Sequence, residues 1–413
     1  MRSSPPIVYQ LLSSGTPTLA STMEGQRPPP MLDELPPEIH TGIGSHLSGR
    51  ELDGVTRASK RLRALFLRSI FRRVRFDSTQ PEVASSLDLF VNGRSAEDMS
   101  CILAAVRCAS FILPLSELPD VFSPEEMLPV SLDPLRLQVL RAIRLVSQVR
   151  RLTVDLELFG DGHAQIFRNV LPSVPRWEHL HSLKMTGVDH CQELATTLIH
   201  SCSSQKLISV DMSGIFSFAL AGVVQQHCKR LERLRIEHPF PPLNENHFPA
   251  MKYIYESRES LRHVKWLAIA EKNPGDTGSL DAFEQCFEEM LEALQQMPAL
   301  LRFAFTLDIN RFQPDEIRDS LGLDENDNEA LTDDEMLEWH TTQIQRIADS
   351  APQLQEVCLF RNCGTSMGKD ITGIFRGTKV EDGNTMRVHL DAVQPGVECT
   401  RFPWGIGDDD ERA

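Results

Sequence analysis

The sequence predicts an α/β chain in two parts: a small all-α helical module, then an irregular solenoid with parallel strands on its inner face and helices outside. Two observations lead there. Residues 32–76 carry apolar residues at three- and four-residue steps behind a pair of prolines, the pattern of short amphipathic helices. From about Val149 a short string then recurs (apolar, two variable, apolar, one variable, apolar), with helix-period stretches between its copies.

The module opens with Leu35-Pro36-Pro37-Glu38-Ile39. Prolines are tolerated at or just before a first helical turn, where a missing N–H costs nothing. Glu38 falls in that turn and complements the positive end of the helix dipole. Ile39, Ile43 and Leu47 follow at four-residue steps, and Ser48-Gly49 breaks the pattern. A second helix restarts at Glu51, with Leu52, Val55, Leu62, Leu65 and Phe66 on one face and Ser59 between them. From Arg50 to Arg75 the basic residues are Arg50, Arg57, Lys60, Arg61, Arg63, Arg68, Arg72, Arg73 and Arg75, against only Glu51 and Asp53. Phe71, Val74 and Phe76 end the module with an extended string. Two helices of this size cannot bury a core alone. They need a partner surface, and a basic face suits an acidic partner.

The run Leu35-Pro36-Pro37-Glu38-Ile39, the spaced Ile43 and Leu47, then Glu51-Leu52 and Ser59-Lys60-Arg61-Leu62-Arg63 resembles an F-box. The resemblance covers residues 32–76, a small share of the 413. It implies a Skp-type adaptor as partner and, through the adaptor, a cullin–RING ubiquitin ligase. Leu35, Pro36, Glu38, Ile39, Ile43, Leu47, Leu52, Val55, Ser59, Leu62 and Leu65 match the pattern. Some of these would pack the module's own core and others face the adaptor, and the sequence does not divide them. His40 departs from the family, where a larger apolar residue is common; it either weakens the adaptor interface or lies at its rim.

A chain of 413 residues is long for one compact core, so a small module plus an extended second part is expected. The hydrophobic fraction of 41% and charged fraction of 24% are ordinary for a globular protein. A net charge of −16 argues against nucleic-acid binding by the whole surface. No apolar run is long enough for a transmembrane helix. Nine cysteines without an apolar leader point to reduced thiols in cytoplasm or nucleus. Residues 1–30, with six prolines and many serines, read as disordered.

The strings are Val149/Leu152/Val154, Leu180/Leu183/Met185, Leu207/Val210/Met212, Leu231/Leu234/Ile236, Leu261/Val264/Trp266, Leu300/Phe303/Phe305 and Leu354/Val357/Leu359. Their first spacings are about 24 to 31 residues and the last two about 39 and 54, near and then beyond a leucine-rich-repeat period. Helical stretches such as Cys191–Cys202 and Phe216–Cys228 lie between. One strand and one helix per repeat give a solenoid with a parallel sheet on its inner face. Residues 146–405 thus resemble the irregular leucine-rich repeats that often follow an F-box, although the regular Asn is missing and the spacing drifts. Residues 77–145 form a helical linking layer, with helices over Ser95–Ile112 and Pro134–Val146 and a proline-rich loop through Pro114, Pro119, Pro124 and Pro129. Arg401–Gly405 is expected to seal the last repeat, and residues 406–413 form an acidic end.

Other chemistry is weighed and set aside. Asp324, Asn326, Asn328 and Glu335 fall at positions one, three, five and twelve of a calcium loop, but Glu329 stands where that loop needs glycine. Thr332 and Glu335 fit a capping box instead. His190-Cys191 and His200/Cys202 lie too far apart along one helix to share a zinc ion, so core thiols are expected. No nucleophile elbow, phosphate loop, dinucleotide fingerprint or metalloprotease pair occurs. The chain reads as non-catalytic, without cofactor or metal.

The inner sheet face is the candidate target surface. Its outward residues are expected to include Lys184, Asp211, Arg233, Arg235, His263, Lys265 and Arg302, a locally basic set suited to an acidic or phosphorylated protein segment. The expected function is the target-recognition subunit of a Skp–cullin–F-box ubiquitin ligase. The alternative is a scaffold that works with the adaptor alone.

Overall fold

The computed structural model describes residues 32–47, 49–93, 96–112, 134–157, 159, 165–167, 177–188, 191–214, 218–238, 248–271, 279–307, 309, 312–323, 330–362, 371–380, 385–392 and 402–403. The expectations for residues 1–30, the proline-rich loop, Asp324–Asn328, His190 and the acidic end lie outside them. The chain divides into two compact units, Met1–Val149 and Arg150–Ala413.

The first unit begins with three helices, α1 (Pro37–His46), α2 (Gly49–Ala58) and α3 (Lys60–Ile70). Pro37 opens α1 with Glu38 in its first turn, as the dipole argument requires. The single second helix expected from Glu51 through Phe66 is two helices. Ser59 is extended, and its Oγ accepts from the N–H groups of Arg61 at 3.1 Å and Leu62 at 3.5 Å. A serine that satisfies the first free amides of a new helix starts one, and here that preference overrides the apolar periodicity running across it. The core of the trio is Phe66, which is fully buried and meets His40 edge-on at 5.7 Å. His40 is itself 3% exposed, with Nε2 2.7 Å from the Leu32 carbonyl oxygen. It belongs to the module's own core, so the expectation that it lies at a partner's rim is corrected. A Cβ on Gly44 would lie 2.2 Å from Ser69 Oγ, so the glycine permits the close approach of α1 to α3.

Next come β1 (Arg73–Phe76), α4 (Gln80–Asn92), α5 (Ala96–Ala105), β2 (Cys108–Phe111) and α6 (Pro134–Leu145). The helix expected to run to Ile112 stops at Ala105. Beyond it Ala109 and Phe111 are buried while Cys108 and Ser110 are half-buried, the two-residue period of a strand. β2 pairs in parallel with β1, stacking Phe76 on Phe111 at 5.3 Å. The sequence reading did not foresee α4, whose Val83, Leu87 and Phe90 form its buried stripe.

The second unit is a mixed α/β array with an open sheet. Its first seven strands are β3 (Arg151–Asp155), β4 (Ser182–Thr186), β5 (Ser209–Ser213), β6 (Arg233–His238), β7 (Trp266–Glu271), β8 (Arg302–Thr306) and β9 (Glu356–Asn362). Each pairs in parallel with the next in chain order. The connections from β4 to β9 carry α7 (Gln192–Ser201), α8 (Phe218–His227), α9 (Pro249–Leu261), α10 (Leu280–Gln295), α11 (Pro314–Leu321) and α12 (Asp333–Ser350). Two further strands, β10 (Ile371–Lys379) and β11 (Met386–Ala392), add on antiparallel.

The register lines up Leu183, Val210, Leu234, Leu267, Phe303 and Val357 as one row, every member 1% exposed or less. At the β10 end the same side meets α12: His340 stacks on Phe375 at 3.9 Å, and a Cβ on Gly377 would lie 2.5 Å from Ile344. Six of the seven apolar strings have this phase. The fifth is displaced by three residues: Val264/Leu267/Ile269 is the inward string, and Trp266 points the other way, level with Arg233 and Arg302. Both phases satisfy the pattern, and the strand pairing decides between them. Phe402, in the stretch expected to seal the last repeat, is buried against Ala268, Ala270, Ala304, Cys358, Phe360 and Ile374, across β7 to β10.

Candidate functional site: a charged sheet face

On the strand face opposite the apolar row, three levels of side chains run from strand to strand. The first includes Ser182, Ser209, Arg233, Trp266, Arg302 and Glu356; the second Lys184, Asp211, Arg235, Ala268, Ala304, Cys358 and Arg376; the third Thr186, Ser213, Glu237, Ala270, Thr306, Phe360 and Ile374. In-register parallel strands place like-numbered positions side by side, so charges alternate across the sheet by choice of residue alone.

Arg235 is the centre of one group. It is 4% exposed, with Nη1 donating to Asp211 Oδ1 at 3.1 Å and Nη2 to Glu237 Oε2 at 2.6 Å. Burial pulls its pKa down, but Asp211 and Glu237 outweigh that and hold it above the ordinary arginine value. Lys184 Nζ reaches the same Asp211 at 3.5 Å. Arg376 anchors a second group, bonded to Glu356, to Asp391 Oδ2 at 2.5 Å and to the Phe402 carbonyl at 3.0 Å. Between them Trp266 is flanked by two guanidinium groups, Arg233 at 4.2 Å and Arg302 at 4.4 Å from the ring centroid, each from a neighbouring strand. Arg302 Nε also lies 3.4 Å from Glu356. A cation over an indole face gains roughly 0.5–2 kcal/mol, depending on how dry it is.

The expected basic set is therefore only partly assembled. Lys184, Asp211, Arg233, Arg235 and Arg302 share the face. Lys265 and His263 do not: Lys265 precedes β7 and bonds Glu232 at 3.0 Å, and exposed His263 receives a bond from Arg262 Nε at 3.1 Å. The three-residue phase slip put them on the wrong side. Arg235 is not an open cation either, because its charge is taken up by Asp211 and Glu237. The sequence reading missed Trp266, Glu237, Arg376, Asp391 and Phe402. Arg235 and Glu237, two apart in one strand, were a legible signal for an internal pair.

In the helical module Leu52 is fully buried and Ser59 caps α3. Leu35, Ile43, Leu47, Val55 and Leu62 are half-buried, and Pro36 and Glu38 are exposed. Ile39 is 49% exposed and Leu65 36%.

The side chains once weighed for metals have other employment. Glu335 completes the capping box with Thr332, accepting from its N–H at 2.7 Å, and bonds Arg318 Nε at 3.0 Å. The Thr332 amide and the Arg318 guanidinium hold its carboxyl near 2. Cys191 and Cys202 lie buried at opposite ends of α7, and Cys202 Sγ donates to the Leu198 carbonyl at 3.2 Å. Burial pushes the Cys228 thiol up to about 12, which leaves it inert. Among the described residues no group of three or more His, Cys, Asp or Glu side chains is placed to hold a metal ion, and no helix is long and apolar enough to cross a membrane. No family model matches the chain, and no curated protein matches it.

Proposed function

We propose that this chain is a target-recognition subunit of a Skp–cullin–F-box ubiquitin ligase, with helices α1 to α3 binding the Skp-type adaptor and the charged sheet face receiving the target protein. The observation that carries the first half is Ile39. It lies in the Leu35–Ile39 run that resembles an F-box, and it is left 49% exposed although the trio already has a filled core in His40, Leu52 and Phe66. A half-exposed isoleucine beside a filled core suits a partner's surface. For the second half, a rigid sheet with an arginine–tryptophan–arginine stack offers the residue types that dominate protein interfaces. The chain itself would break no bond; it would raise the local concentration of a target beside a ubiquitin-charged enzyme.

The test is co-purification of the tagged chain with Skp adaptor and cullin, beside a Leu35→Ala/Pro36→Ala variant. Recovery of both partners by the parent and of neither by the variant is the expected result. Adaptor without cullin would move the function to a scaffold, and recovery of neither partner by the parent would remove the ligase reading.

A further inference from the structure

The sheet of the second unit ends on an open edge, and the side chains along that edge complement themselves when the strand is reversed. We propose that β11 pairs antiparallel with β11 of a second copy of this chain, about a two-fold axis at His389, so that the sheet continues across a dimer. The pairing does not rest on the ligase reading.

β11 pairs with β10 alone, and among the described residues no strand lies beyond it. In an antiparallel ladder, opposite residues alternate between pairs that exchange both hydrogen bonds and pairs that exchange none. Just ahead of β11, the Val380 N–H donates to the Thr385 carbonyl at 3.1 Å, which fixes that alternation. Arg387, His389 and Asp391 spend their backbone groups on β10, while Met386, Val388 and Leu390 turn theirs outward. Lys379, opposite Met386, agrees: its N–H donates away from β11, to the Gln355 carbonyl. The outward Met386 N–H is met by Gln345 Oε1 of α12 at 3.1 Å. The outward groups of Val388 and Leu390 are a template for another strand.

The occupant follows from the sequence of the edge. Reversed about His389, the run Arg387-Val388-His389-Leu390-Asp391 sets Arg387 opposite Asp391 and Val388 opposite Leu390, twice over. Val388 and Leu390 are the outward residues, so each of their two symmetry-related pairs exchanges two backbone bonds, about four in all. Moving the axis to Val388 would set Arg387 against His389, and moving it to Leu390 would carry Arg387 past the end of the strand. Leu390 is 45% exposed and Val388 half-buried on the same side of the strand, and the joint covers each leucine with the other copy's valine. Arg387 is exposed. Asp391 keeps its bonds to Arg376 and to His389 Nε2 at 3.0 Å; its side chain is still 31% exposed, and a carboxylate accepts more than two donors. The charges thus choose the register, and the backbone with its apolar pairs supplies the strength. An edge of seven residues makes a small interface, so association is expected at about 10–100 μM.

The experiment is sedimentation equilibrium of the full chain over about 5 to 500 μM, a range that spans the expected constant. The mass should rise from 46.5 kDa toward twice that value. Val388→Pro removes an outward N–H and leaves the bonds to β10 in place, so it should hold the chain monomeric. Arg387→Asp, at an exposed position, opposes like charges twice and should weaken association about 10-fold. The register is read with cysteines. His389→Cys brings two thiols across the axis with Cα atoms about 4.5 Å apart, within disulfide reach, while Arg387→Cys leaves them roughly 13 Å apart. Under diamide, which takes up the two electrons and two protons, His389→Cys should give a covalent dimer and Arg387→Cys only the background of the native thiols. The cysteine pair keeps the edge intact, which covers the case in which proline harms folding. A chain that stays monomeric at the highest concentration, a dimer indifferent to Val388→Pro in a folded chain, or equal linking of the two cysteine variants overturns the proposal. No adaptor enters these measurements, so their failure leaves the ligase reading standing.

Discussion

The strand array and the three-helix module are built with the same apolar residue types, and they spend them differently. In the array Leu183, Val210, Leu234, Leu267 and Phe303 form a row sealed from water. In the module Ile39 and Leu65 remain open while a histidine and a phenylalanine occupy the centre. The difference follows from geometry. A strand pairs on both edges, so its inward side chains are enclosed by like positions before and behind, and each further strand extends the same core. Three helices of ten or eleven residues enclose only the side chains at their mutual contact. What they leave outside is available to another protein.

The comparison is most sharply broken by truncating a member of the row. Phe303 is fully buried and stacks on Phe305 at 5.3 Å. Phe303→Ala should destabilise the second unit by about 3–5 kcal/mol through lost transfer energy and a cavity. Denaturant unfolding followed by tryptophan fluorescence measures it. A loss below about 1 kcal/mol would mean that the row is not a continuous core.

The same contrast explains what could be read from the sequence. Buried parallel strands announce themselves, because enclosure demands apolar residues at fixed steps, and all seven strings fall at strands. Phase is less secure where an apolar residue is used outside the core. Trp266 entered the string as a core residue, although its ring is needed between Arg233 and Arg302. The hairpin β10–β11 escaped because its inward positions include Gly377, which the close approach of Ile344 keeps small. The break at Ser59 was hidden by apolar spacing that continues across it. As for the face, its positive charges were legible one at a time, but their neutralisation depends on which strands lie side by side, and that was not.

A second, smaller effect concerns the end of the array. His340 is 1% exposed, with Nδ1 2.6 Å from the Met336 carbonyl oxygen and its ring stacked on Phe375. Burial pushes it down from 6.5 to about 4, against the pull of the Met336 and Leu307 carbonyls. The folded chain thus holds a neutral imidazole where the unfolded chain would bind a proton. Stability is full above about 6.5 and falls as the pH drops toward 4, by roughly 3 kcal/mol at most. His340→Gln should flatten that part of the stability profile, as read from unfolding midpoints between pH 7 and 4. An unchanged slope would assign the acid sensitivity to other groups.

The smallest effect on stability, and the one that best separates the two parts, belongs to Ile39. Replacing an isoleucine that is already half in water removes little burial, so Ile39→Ser should change the unfolding free energy by less than about 1 kcal/mol. Phe66→Ala, in the same module, removes its enclosed centre and should cost several times more, about 3 kcal/mol. If Ile39 serves a partner, its loss should appear in adaptor capture and scarcely at all in folding, while Phe66→Ala loses both together. Calorimetry of the two variants beside their adaptor pull-downs makes the distinction. Should Ile39→Ser unfold the chain as readily as Phe66→Ala, the side chain would be packing its own unit, and the contrast between enclosed array and open module would fail at the residue on which it depends.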